Sequence, residues 1–354
     1  MSHHRITVRS ALEADLSEIV DLIVAQRTRQ RRCDPRLPLW QTRAQWEAAL
    51  RTYSLQEAFV ALDEEGHVRG YARPGVWELQ PSSILHAFLT ARNGIVRTLT
   101  LPDPADADAG AVATALLSAL DTFWQQAETS GDLVRWPSTD GWVEGALIAQ
   151  GLRRDSICAL HSLRPFFAVR PTPDSHQRVR LARPDDEEAL VALFHEELLF
   201  HERSTPFVHS SPSVRETFRR KLKSMWEGDA LDVLGAGAPV VLVVEHAGSV
   251  VAMAENTLLI VSPHDEPGYT PAGSYWCLDN VSVREALHGQ GIGRLLVQGV
   301  EDVREELGLL LDGSILWYNP DNLTAARFWT GLGFHPLWTT YQRLHPVLEA
   351  SARP

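Results

Sequence analysis

Cysteine is scarce in these 354 residues. Cys33, Cys158 and Cys277 are few, odd in number and widely separated, which argues against a disulfide framework or a CxxC metal site and fits a reducing compartment. Long apolar runs are missing too. Val240 to Val244 and Leu307 to Leu311 are far shorter than the roughly 18 residues of a membrane span, and the N-terminal MSHHRITVRS has no apolar signal core. The chain is therefore expected in the cytoplasm, with no membrane partner. Positive charge is in deficit, 33 Lys and Arg against 45 Asp and Glu for a net −12, which argues against nonspecific binding of nucleic acid. Neither a GxSxG elbow nor a GK[ST] phosphate loop occurs, so the common nucleophile and nucleotide motifs are absent. What is present is an ordinary globular composition, 44% hydrophobic and 22% charged, at a length that predicts two domains.

The chain repeats itself. Arg9, Ala11, Asp15, Ile19 and Leu22 recur as Arg180, Ala182, Asp186, Leu190 and Leu193 at an offset of 171. From about residue 60 the offset is 182: Gly66 pairs with Gly248, Ala72 with Ala254, Leu99 with Val281, Leu101 with Val283 and Gly151 with Gly333. The second copy thus carries 11 extra residues between Phe194 and Val240, a stretch that includes HERSTPFVHSSPS and GAGAP. We expect two copies of one α/β domain, residues 1–169 and 179–354, joined by the Pro-rich linker 170–178. Each copy reads as a mixed central sheet flanked by helices. In the second, PVVLVVEHAGSVVAMAENTLLIV gives a hairpin turning at Gly248, SYWCLDNVSV a strand, and GRLLVQGVEDVREELG a helix with Leu295, Leu296, Val300, Val303 and Leu307 on one side. SILWY, NLTAARFWTGLG and LWTTYQRL follow as strand, helix and strand.

The segment VSVREALHGQGIGRLL joins a strand to a helix start. Gly289, Gly291 and Gly293 let the backbone approach an anion closely, and the first amides of the helix point at it. The spacing is GxGxG, not the GxGxxG of dinucleotide folds. The segment resembles the acyl-CoA signature of the GCN5-related N-acetyltransferase (GNAT) family, V-x(4)-[Q/R]-x-x-G-x-[G/A], through Val283, His288, Gly291 and Gly293, with His288 where Arg or Gln is usual. NLTAARFWTGLGF is similar to a second family element through Asn322, Ala325, Gly333 and Phe334. The resemblance implies that the strand around Val281 and Val283 splays from its neighbour to pair with pantetheine. It further implies that the pyrophosphate lies beside Gly289 on the amides of Gln290, Gly291, Ile292, Gly293 and Arg294, and that Asn322 faces the thiol. Arg294 is equally readable as a solvated first-turn residue, and Asn322 as a helix cap. Acetyl-CoA is the implied cosubstrate, with no metal.

The constant offset exposes the same loop in the first copy, where His288, Gly289, Gln290, Gly291 and Gly293 become Asp106, Ala107, Asp108, Ala109 and Ala111. Carboxylates and methyl groups oppose pyrophosphate, so the first copy is expected to be degenerate and noncatalytic, the acidic start stabilising an empty helix. Asn322 becomes Asp140, Trp329 Leu147 and Phe334 Leu152.

Asp279 and Glu255 map onto Arg97 and Arg73, and either carboxylate suits a general base that strips a proton from the attacking amine through water. Each also reads as a strand-end carboxylate that binds a substrate cation or simply meets solvent. Trp329 stands where the family usually has a Tyr general acid, which leaves Tyr318 as a candidate acid and Tyr341 as a neighbour, each also readable as a core ring. Cys277 reads as a buried apolar residue rather than a nucleophile. His195 and His201 in HEELLFHE lie roughly 240° apart around a helix, too far for HExxH chemistry. Arg27, Arg29, Arg31, Arg32 and Arg36 read as a solvated or interdomain ion-pair face, and Trp317, Trp329 and Trp338 as core.

The leading expectation is an N-acetyltransferase that moves acetyl from acetyl-CoA to a primary amine by direct attack in the second copy. A small-molecule amine is the expected partner, with a protein or peptide amine as the other acceptor class. The alternatives are a mycothiol-synthase-like acetylation of a small thiol precursor, and a noncatalytic acyl-CoA-binding or sensing protein.

Overall fold

The computed structural model describes residues 5–38, 42–162, 164–226, 239–262 and 268–345. The first half runs β1 (Thr7–Ser10), α1 (Leu16–Cys33), α2 (Arg43–Thr52), β2 (Phe59–Leu62), β3 (Val68–Glu78), β4 (Arg92–Thr100), α3 (Ala109–Gln126), β5 (Gly131–Pro137), α4 (Glu144–Ala149) and β6 (Arg153–His161). The second half repeats that order among the described residues: β7 (Gln177–Leu181), α5 (Glu187–Glu202), α6 (Pro212–Ser224), β8 (Val240–His246), β9 (Ser249–Val261), β10 (Gly273–Val283), α7 (Ile292–Glu306), β11 (Gly313–Tyr318), α8 (Leu323–Gly331) and β12 (His335–Leu344). Most of GAGAP lies outside the described residues.

The repeat is physical as well as textual. Arg9 clamps Asp15 at 2.7 and 2.8 Å ahead of α1, and Arg180 clamps Asp186 at 2.6 and 2.9 Å ahead of α5. In each copy the carboxylate also accepts from a backbone amide, Leu12 at 2.8 Å and Arg183 at 2.7 Å, and so fixes the helix start. β4 and β10 each carry one extra residue against their antiparallel neighbour, Arg97 and Asp279, at equivalent positions. Such a bulge bends a strand and re-aims its side chains.

The two halves do not close separate sheets. One 12-stranded sheet runs β1-β2-β3-β4-β5-β12-β6-β11-β10-β9-β8-β7, so each half's last strand has crossed to the other half. β12 pairs with β5 from Trp338↔Pro137 to Leu344↔Gly131, and β6 pairs with β11 from Ser314↔His161 to Tyr318↔Ile157. At the centre β6 and β12 pair with each other, His335 opposite Leu160 and Gln342 opposite Arg153, positions that interchange under the offset of 182. The sheet centre is therefore a two-fold-like seam.

Helices cover both faces. α3 packs Val112, Leu116 and Leu120 on Leu99, Val134, Trp136 and the exchanged Tyr341. Its counterpart α7 packs Leu296 and Val300 on Val244, Ala254, Trp276 and Leu316. On the opposite face α5 sets Leu190, Leu193 and Phe194 on Val241, Val243 and Met253, and Phe194 stacks on Phe218 of α6 at 4.2 Å. After β6 the chain stays on the second half: Phe166 and Phe167 are buried in its core, and the Phe166 amide donates to Glu301 at 3.1 Å. No helix among the described residues is long and apolar enough to cross a membrane.

Candidate active site

β10 and β11 pair in parallel only from Tyr275↔Gly313 to Leu278↔Leu316, yet β10 continues to Val283 and β11 to Tyr318. Beyond Leu278 the two strands part, and their facing edges bound a cavity of about 460 Å³. α5 contributes Glu196, Glu197, Phe200 and His201 to its wall, and α8 contributes Phe328 and Trp329.

The start of α7 forms one end. Gly289 and Gly291 hold φ of +77° and +82°, the left-handed region where a side chain is strained, and a Cβ on either would project into open space. Gly291 caps α7 with no side-chain hydrogen bond, so the first amides of the helix and the positive end of its dipole are open to an anion. Ile292, Gly293 and Arg294 complete this wall, and the Arg294 guanidinium lies 4.7 Å from the Phe167 ring. The His288 ring reaches back to the Val283 carbonyl, Nε2 at 2.8 Å. Gln290 stands outside the lining and turns toward Ala286. Asn322 lines the cavity and also caps α8, its Oδ1 accepting from the Ala325 amide at 3.1 Å.

Asp279, at the bulge, lines the cavity, and its carboxylate accepts from Thr257 Oγ1 at 2.6 Å and Cys277 Sγ at 3.2 Å. The Cys277 thiol is buried and pushed well above its ordinary pKa by burial and by Asp279, which disfavours the thiolate. Glu255 does not line the cavity: it is fully buried on β9 and paired with Lys221 of α6 and with Asn280. Tyr318 lines the cavity, its phenol pushed up by burial. Tyr341 is a core ring, and the strand exchange places it in the other half's core. Trp329 is at once core, edge-on to Phe334 at 5.5 Å, and cavity wall.

One group that sequence reasoning missed faces the cavity from α5. Burial and the nearby Glu255 charge push the Glu197 carboxyl up to about 8. The His201 ring stands 3.9 Å away, and burial holds it below its ordinary pKa and so favours the neutral imidazole. The two histidines of HEELLFHE are divided: His195 bonds Ser210 at 2.6 Å, while His201 lines the cavity. The available signal was the repeat, which aligns Glu197 with Gln26 at the offset of 171.

In the first half the equivalent crevice is stitched shut. Gln26 donates to the Leu99 carbonyl at 2.9 Å and accepts from the Leu101 amide at 2.7 Å, thereby occupying the strand edge that Val281 and Val283 leave free. Arg29 and Gln30 reach Asp140, the counterpart of Asn322, at 2.6 to 3.0 Å. The counterparts of those two residues are Phe200 and His201. Asp106 and Asp108 do not cap α3: no side chain does, and both carboxylates are held by Arg69 at 2.7 to 3.1 Å. The arginine cluster on and just after α1 is partly interdomain, with Arg36 reaching the carbonyls of His335 and Pro336 and Arg27 lying over Tyr269.

Residues 185–334 match the model of the acetyltransferase (GNAT) family. The fold is similar to that of a GCN5-related N-acetyltransferase from Sphaerobacter thermophilus, at 17% identity and a TM-score of 0.50, covering 96% of this chain and 95% of that one. A tandem GNAT protein from the clavulanic acid biosynthesis pathway is also similar, at 15% identity and a TM-score of 0.45, with 96% and 98% covered. No curated protein matches the sequence.

Proposed function

From the match of residues 185–334 to the acetyltransferase (GNAT) family model, we propose that this chain is an N-acetyltransferase that takes acetyl from acetyl-CoA in its C-terminal unit. The observation that carries this reading is the unpaired edge of β10 running from Asp279 to Val283 toward the uncapped amides of α7. An extended amide-bearing arm fits the Val281 carbonyl and the Val283 amide, the groups whose counterparts Gln26 bonds in the first half, while the Val283 carbonyl is held by His288, and a diphosphate fits the amides after Gly291. Gly289 and Gly291 leave room where a side chain would intrude, and His288, Ile292, Gly293, Arg294 and Asn322 complete the walls.

The acceptor is a primary amine, small-molecule in our reading, that attacks the thioester directly. Asp279 is the carboxylate at the bulge that meets it, and Tyr318 the phenol beside the splay. Residues 179–354 form the catalytic unit, and residues 1–169 a noncatalytic unit whose stitched crevice holds no cofactor, with 170–178 between them. We place the chain in the cytoplasm, where its three free thiols stay reduced.

Calorimetric titration of acetyl-CoA tests the reading. One site per chain is expected, lost in the double variant Gly291→Asp, Gly293→Ala that copies the first half's loop. Binding that survives the variant, or none to the intact chain, would refute the assignment of the site.

A further inference from the structure

Glu197 takes no part in the glycine signature, yet it lines the cavity with Oε2 buried and without a hydrogen-bond partner. A buried polar atom left without a partner is costly, and a ligand group that bonds it removes the cost. The first half shows what this helix position reaches. Gln26 touches the Leu99 carbonyl and the Leu101 amide, the counterparts of Val281 and Val283. A side chain at 197 therefore stands over the same stretch of strand edge on which the thioester arm would lie.

We propose that Glu197 is the proton acceptor for the attacking amine, an inference that rests on the acetyltransferase reading of the cavity. The groups that face it are His201 and Glu196 on its own helix, Glu255 on β9 with Lys221 of α6 paired to it, and Asp279 on β10. Its elevated pKa, about 8, lies near working pH, where a general base is most effective.

The step balances as follows. The acceptor ammonium gives one proton to the Glu197 carboxylate, and the freed nitrogen pair forms the C–N bond while the carbonyl π pair moves to oxygen. Collapse restores the carbonyl and breaks the C–S bond. The second nitrogen proton ends on the departing sulfur, and Glu197 returns its proton to solvent. The products are the amide, free thiol and one proton.

The test measures thiol release across an amine panel, with acetyl-CoA calorimetry, on the full chain as wild type, Glu197→Ala and Glu197→Asp. Glu197→Ala is expected to lower kcat by about 10²-fold or more at unchanged acetyl-CoA affinity, and to abolish the rise of kcat with pH near 8. Glu197→Asp, which keeps the carboxylate, should recover part of the rate and the pH limb. Unchanged kcat and pH limb in Glu197→Ala would overturn the proposal, as would loss of acetyl-CoA binding together with activity, since that is a structural role. A wild type that binds acetyl-CoA but acetylates no amine would overturn it too, whereas a wild type that binds no acetyl-CoA would overturn the reading beneath it.

Discussion

Arg180 and Asp186 show what one nearly buried pair does for this chain. Their side chains are 12% and 10% exposed, and the guanidinium holds the carboxyl below its ordinary pKa while Asp186 also accepts from Arg183. A depressed folded pKa adds stability that is present above the ordinary carboxylate pKa and is lost as pH falls through the folded value. Asp186→Asn is therefore expected to cost about 2 kcal/mol at pH 7, read from the urea midpoint, with the difference from wild type vanishing in acid. The matching Asp15→Asn should cost less, because Arg9 is 36% exposed and solvent screens its pair. These pairs were legible as repeated letters, Arg and Asp at one spacing in both copies. Glu197 was not legible as a site residue, because its surroundings come from β9, β10 and α6, each distant in sequence.

At the level of elements, the two halves build the same crevice and treat it oppositely. α1 and β4 are joined through Gln26, whereas α5 and β10, in contact at Leu193 and Ser282, leave a cavity at the equivalent position. Gln26→Ala would leave the Leu99 carbonyl and Leu101 amide unpaired in a core, at an expected cost of about 2 to 3 kcal/mol in chemical denaturation. It should not create a second acetyl-CoA site, since Asp106, Asp108 and Arg69 still fill the helix start, and calorimetric stoichiometry would remain one per chain. The reverse change, Glu197→Gln, places the first half's stitching residue in the second, and should weaken acetyl-CoA binding by competing for the edge of β10. Equal affinity in that variant would show that the two helices approach their strands differently. The loop substitutions at 106 to 111 were readable by offset, whereas the compensating Arg69 maps onto Val251 and has no counterpart to compare.

The exchanged strands make the molecule one cooperative body. β12 supplies the partner of β5 and β6 supplies the partner of β11, so neither half completes its sheet from its own residues. Scanning calorimetry of the intact chain should show a single transition. Truncation after Phe334 should expose the edges of β5 and β6 and lower hydrogen-exchange protection in both halves, including β4 and α3, which the cut does not touch. Protection lost from the second half alone would contradict this coupling.

By itself the sequence determined what depends on neighbours along the chain: the repeat, the order of elements, the glycine turn before α7, the Asn322 cap and the acidic loop of the first half. Periodicity, turn residues and offsets are local, and a single chain displays them directly. Only the tertiary structure decided that the last strands cross, that Tyr341 serves the other half's core, that Glu255 is sealed against Lys221, and that Glu197 faces the open strand edge. Hydrogen-bonding groups on β6 and β12 are satisfied equally well by either half's sheet when the two halves share one strand pattern. The choice between them is made by packing across the whole molecule, which no local spacing records.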